Sequence, residues 1–111
     1  MPAPPAPTPV PAQDIADRRA RGEKLTLLDV REHDEVAICR IEGAIHIPMN
    51  DVPARIAEID RTQPVAVYCH HGMRSRMVGA FLLQEGFTEV WNLNGGIDAW
   101  AAAVDPAMAR Y

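Results

Sequence analysis

Cysteine is scarce in this chain of 111 residues: there are two, Cys39 and Cys69, thirty positions apart and in no CxxC pair. That argues against a disulfide framework and for thiols kept reduced. No apolar run approaches the roughly 20 residues of a membrane-spanning helix. The first residues carry neither the basic stretch nor the apolar stretch of a secretory leader. The expectation is a soluble, cytoplasmic protein with no membrane partner. Positive charge is not in excess either: 11 Lys and Arg stand against 15 Asp and Glu, for a net charge of -4. Nothing draws the chain as a whole to nucleic acid, although an acidic protein can still hold a local cationic pocket. No His, Cys or carboxylate spacing resembles a zinc site. No metal or organic cofactor is implied, and no internal repeat is visible.

Proline is plentiful, and it is concentrated. Six of the ten prolines fall within residues 1–11, interleaved with alanine. Such a stretch favours an extended polyproline-like form that buries little apolar surface. Residues 1–9 are therefore read as a flexible tail, with a ligand for a proline-binding domain as the weaker alternative. Residues 10–105 are read as one folded domain, which the length and the 48% hydrophobic content can support. Residues 106–111 are left as a C-terminal tail.

Within the domain, short apolar runs alternate with helical patterns. Val10 is a candidate first strand, and Pro11 suits the first turn of a helix through Gln13, Ile15, Ala16 and Arg19 that stops at Gly22. Leu25–Val30, Ala44–Ile47, Val65–Cys69 and Glu89–Leu93 read as buried strands. Val52, Ile56 and Ile59 recur at helical spacing behind Asp51 and Pro53. Met77, Val78, Phe81 and Leu82 form an apolar stripe released at Gly86, and Gly95-Gly96 precedes a last helix through Ile97, Ala99, Trp100 and Ala103. Strands separated by helices predict an α/β fold: a central, mostly parallel sheet with helices on both faces. In such sheets ligands bind beyond the carboxyl ends of the strands.

Cys69 stands at one of those ends, before a glycine-bearing turn and a helix. A free cysteine ending a buried strand is commonly an inert small hydrophobe. Its surroundings here argue otherwise. His70, His71 and Arg74 supply positive charge, Gly72 allows backbone angles closed to other residues, Met73 completes the turn, and Ser75 places a hydroxyl near the helix start. With the amides and dipole of a helix N-terminus, these features favour a thiolate that can act as a nucleophile at neutral pH. Neither histidine is given a general-base role, and which of them would contact substrate is left open.

Four separated motifs make the chain resemble a single-domain rhodanese, over about Val10 to Trp100. They are Leu28-Asp29-Val30-Arg31-Glu32 followed by Glu35; Glu42-Gly43-Ala44-Ile45-His46-Ile47-Pro48; the Tyr68–Ser75 loop; and Leu93-Asn94-Gly95-Gly96-Ile97-Asp98-Ala99-Trp100. The chain departs from the family at Cys39-Arg40-Ile41-Glu42-Gly43, where many relatives read Gly-His-Ile-Pro-Gly. Cys39 is read as a packed thiol without an assigned role.

The resemblance implies a rhodanese-like fold with the active-site loop at the end of a central strand. It also implies sulfurtransferase activity of the thiosulfate sulfurtransferase type. Cys69 would take sulfane sulfur from thiosulfate or another anionic donor as a persulfide and pass it to cyanide or a thiol. Residues 70–75 would form the amide-lined loop, and Arg74, helped by His70 or His71, would attract the donor. Asp29 and Arg31 would orient the loop through an ion pair, and Glu35 and Trp100 would be structural. Alternatives are a persulfide carrier with a protein sulfur donor or acceptor, a noncatalytic partner-binding module, and a cysteine phosphatase or arsenate reductase. Four residues, His70 to Met73, separate Cys69 from Arg74, a shorter loop than the phosphate cradle of related phosphatases, which lowers the last alternative.

Overall fold

The computed structural model describes residues 5–111. Five strands and five helices follow in the order β1 (Thr8–Val10), α1 (Ala12–Ala20), β2 (Thr26–Asp29), α2 (His33–Ile38), β3 (Ile45–His46), α3 (Val52–Arg55), β4 (Val65–Tyr68), α4 (Met73–Gln84), β5 (Val90–Leu93) and α5 (Gly96–Ala103). Single 3₁₀ turns flank α3 at Met49–Asp51 and Ile56–Glu58. The strands form one sheet of order β1-β5-β4-β2-β3, with every pair parallel. β4 lies at its centre.

The sheet is covered on both faces because its central strands are buried throughout and send successive side chains to opposite faces. Leu28, Val30, Val65, Val67, Cys69 and Val90 point to the face that packs Val52, Ile59, Val78 and Leu82. Leu27, Ala66, Tyr68, Trp91 and Leu93 point to the other face and meet Ala12, Ile15, Ile97 and Trp100. All four residues of β2 and of β4 are buried. α3 and α4 therefore serve one face, α1 and α5 the other.

The folded chain starts earlier than Val10. Thr8 and Pro9 pair with Trp91 and Asn92 at the sheet edge, where a strand can hold a proline because one side of its backbone has no partner. Pro7 is buried, its ring seated where Gly79 of α4 carries no side chain. Of the tail expected over residues 1–9, residues 1–4 lie outside the described residues. The apolar stripe of α4 is also narrower than its sequence suggests. Val78 and Leu82, four apart, face the sheet, whereas Met77, about 100° round the helix from Val78, is 61% exposed.

α2 has no sequence periodicity to announce it, since its six residues include none that is buried. Its signal is the capping box of Glu32 and Glu35, in which each side chain takes a backbone N–H of the other residue.

At Gly96, φ is +65°, and a Cβ would collide with the His70 carbonyl and come within 2.6 Å of the Cys69 oxygen. Gly96→Ala should therefore destabilise the protein by about 1–3 kcal/mol from the left-handed backbone alone, with a further loss from the collision. Urea denaturation measures this, and a midpoint unchanged from the wild type would show that α5 yields freely at this contact.

Candidate functional site

Cys69 follows the last residue of β4, and residues 70–72 turn the chain into α4. Gly72 caps that helix with φ +115°, a conformation that favours glycine. The turn is held through its carbonyls. Cys69 O accepts the N–H of Ile97 at 2.8 Å, and His70 O accepts that of Asp98 at 3.2 Å, so the first turn of α5 finds its missing backbone partners in the loop. With the carbonyls fixed that way, amides turn inward. Gly72 N–H donates to Cys69 Sγ at 3.1 Å and Ser75 N–H at 3.5 Å, and the Ser75 hydroxyl lies 3.4 Å from the sulfur.

Cys69 is only 2% exposed. Burial pushes its thiol pKa up, but the hydrogen-bonding contacts at Sγ, backbone amides among them, outweigh that effect and leave it below the ordinary cysteine value. Ser75 is fully buried and donates to Asn92 Oδ1 at 2.6 Å, while Asn92 Nδ2 donates to the Gly72 carbonyl at 3.1 Å. Asn92, from the middle of β5, is a site residue that the sequence did not single out.

Arg74, expected to attract the donor, has a carboxylate partner of its own. Its guanidinium grips Glu35 of α2 in a two-pronged pair, at 2.6 Å to Oε1 and 2.9 Å to Oε2. Arg74 stays charged, and its hydrogen bonds hold the Glu35 carboxyl down at about 2. Glu35, read as structural, is thus joined to the loop by an ion pair. Asp29 and Arg31 do form the expected pair, with Arg31 Nη2 2.7 Å from Asp29 Oδ2 and neither side chain more than 2% exposed. Their link to the loop is indirect. Arg31 Nη1 donates to the Glu35 carbonyl at 3.3 Å, and Glu35 in turn holds Arg74.

Tyr111 is the second residue missed, and it lies in the segment set aside as a C-terminal tail. Its hydroxyl donates to Glu35 Oε2 at 2.8 Å and accepts from Arg31 Nη1 at 3.0 Å. Burial pushes its pKa up to about 12. Its ring stacks on His70 with centroids 3.9 Å apart, and His71 stacks on the other side of His70 at 4.0 Å. His71 Nε2 comes within 3.8 Å of Asp98, whose cationic partner is Arg110 at 2.8 Å. No spacing rule brings residues 71, 98 and 110 together. Met73, at the head of α4, is 75% exposed. Cys39 is half-buried, its sulfur 3.9 Å from Arg31 Nη1.

The Glu35 carboxyl ionises well below an unfolded glutamate, whose pKa is about 4.3. Its contribution to stability is therefore complete above that value and fades as pH falls towards about 2. The facing groups are the Arg74 guanidinium, the Tyr111 hydroxyl and the Glu32 N–H. Stability measured by urea melts should fall between about pH 4.5 and 2 in the wild type. Glu35→Gln should fall less steeply over that interval, and equal slopes would refute the pair's contribution.

A family model described as "Rhodanese-like domain" matches residues 12–103. The chain is 37% identical over 100 residues to a protein of Allochromatium vinosum named sulfurtransferase, covering 90% of this chain and 94% of that one. It is 36% identical over 78 residues to the thiosulfate sulfurtransferase GlpE of Coxiella burnetii, covering 70% and 73%. The crystal structure of a rhodanese-related protein from Thermoplasma volcanium superposes with a TM-score of 0.79 at 30% identity, over 87% of this chain and 93% of that one. A parallel sheet with a cysteine at the end of its central strand, and a family match over most of the chain, agree: this chain belongs to the rhodanese-like domain family.

Proposed function

We propose that the protein is a sulfurtransferase that carries sulfane sulfur on Cys69. The observation carrying this reading is the pair of amides, from Gly72 and Ser75, aimed at Sγ at the head of α4. Such donors stabilise a sulfur anion through fixed dipoles, with no reorganisation when charge develops. The Cys69 thiolate attacks the outer sulfur of an anionic donor such as thiosulfate. A new S–S bond forms, the donor's S–S bond breaks, and sulfite leaves with the bonding pair. A nucleophile such as cyanide or a thiol then attacks the outer sulfur of the persulfide and releases the thiolate.

The names of the related sulfurtransferases support this reading. So does the near-complete burial of Cys69, which favours a narrow donor over a bulky phosphate ester. Arg74 serves the donor with a charge shared with Glu35, so much of the attraction falls to the amides and the dipole of α4. His70 and His71 border the loop mouth and contribute further positive charge when protonated. Asp29 and Arg31 position α2, and through it Arg74.

A second reading, transfer to or from a protein partner, is favoured by one observation. Met73 and Met77, both largely exposed, lie on the first turns of α4 beside the loop, as adaptable apolar contacts suited to a protein surface.

Mass spectrometry of the intact protein after thiosulfate treatment should show a gain of one sulfur atom, reversed by cyanide and absent in Cys69→Ser. Retention of the added sulfur in Cys69→Ser would remove Cys69 from the reaction. Arg74→Ala should lower kcat/KM for thiosulfate roughly tenfold, the scale of one charged hydrogen bond. Unchanged donor kinetics would rule out its part. A large preference for a protein persulfide over thiosulfate in steady-state kinetics would select the second reading.

A further inference from the structure

We propose that Asn92 is a positioning residue that withholds the single hydroxyl proton of Ser75 from Cys69, leaving backbone amides alone to stabilise the thiolate. Its weight in catalysis rests on the sulfur-transfer reading; the hydrogen-bond geometry does not. The direction of each bond follows from chemistry. The Gly72 carbonyl can only accept, so the Asn92 group facing it at 3.1 Å is the NH₂. The Asn92 oxygen must then face Ser75 Oγ, 2.6 Å away. That oxygen also can only accept, so Ser75 donates to it. A serine hydroxyl has one proton.

What Ser75 presents to Cys69 Sγ, 3.4 Å away, is therefore a lone pair. Towards a thiol this is favourable, because S–H donates to it. Towards a thiolate it offers nothing unless the hydroxyl swings away from Asn92, exchanging a short O–H···O bond for a long contact to sulfur. Ser75 is fully buried, and none of the buried side-chain polar atoms among the described residues lacks a partner. The thiolate is then left to the N–H groups of Gly72 and Ser75.

This arrangement has a use in sulfur transfer. Each added donor lowers the thiol pKa but also the nucleophilicity of the thiolate, with a Brønsted slope of about 0.4–0.5. Holding back the hydroxyl keeps the sulfur reactive while the amides keep it ionisable. The other charged and titratable groups around the loop are Arg74 with Glu35, His70, His71, Asp98 with Arg110, and Tyr111. Substitutions at positions 75 and 92 leave all of them in place.

The test is the pH profile of iodoacetamide alkylation, followed on the Cys69 peptide by mass so that Cys39 is read separately. Ser75→Ala should leave the Cys69 pKa unchanged or lower it, because a partner of the thiol is lost. Asn92→Leu should lower it by about half a unit to one unit by freeing the Ser75 proton, and should do nothing when Ser75 is already alanine. A rise of about one unit in Ser75→Ala would show that the hydroxyl donates to the thiolate, and would overturn the proposal. A rise on Asn92→Leu in both backgrounds would also overturn it, by showing that Asn92 acts through the Gly72 carbonyl alone. Alkylation does not depend on sulfur transfer. Failure of thiosulfate to load Cys69, with these shifts as expected, would therefore refute the transfer reading and leave the proton assignment standing.

Discussion

The site depends on the backbone hydrogen bonds that the start of α5 donates to the Cys69 loop. A helix begins with amides that its own carbonyls cannot reach, and here the carbonyls of Cys69 and His70 meet those of Ile97 and Asp98. Because the loop's carbonyls are taken in this way, its later amides are free to face the sulfur. The closeness of the two segments requires a residue without a side chain at Gly96. Two helix N-termini thus converge on one turn: α5 holds it in shape, and the amides at the head of α4 face the Cys69 sulfur.

Around this turn a chain of ion pairs and hydrogen bonds runs from the sheet to the surface. Asp29 at the end of β2 holds Arg31, Arg31 holds the carbonyls of Glu35 and Cys39 and the Tyr111 hydroxyl, and Glu35 holds Arg74. Removing the Arg31 charge from water is costly, and the burial is tolerated because every nitrogen of its guanidinium group has an acceptor. The arrangement joins α2, α4 and the C-terminal segment to a common anchor. It also explains why Arg74 does not project freely into the loop mouth.

Much of the architecture was legible in the residues. Val65–Cys69 and Leu25–Val30 read as strands because parallel strands buried on both faces are apolar almost without interruption, and Gly86 and Gly95 marked the turns that bound their neighbours. α2 was not legible, since a six-residue helix with no buried side chain leaves no periodic trace, only the Glu32 and Glu35 box. Met77 misled because adjacency in sequence stood in for position on the helix face. Thr8 and Pro9 were assigned to the tail because proline suppresses strand propensity everywhere except at an edge, and an edge exists only once β5 is in place.

Local sequence determined that a thiol would stand at the end of a buried strand, before a glycine turn and a helix, since each of those features arises from neighbouring residues. Tertiary structure alone decided which groups surround it. Asn92 reaches Ser75 across 17 positions, Glu35 reaches Arg74 across 39, and Tyr111 reaches Glu35 across 76. Contacts of that span are created when strands order themselves in a sheet and helices settle on its faces. No spacing along the chain encodes them, because the same side chains in another strand order would never meet.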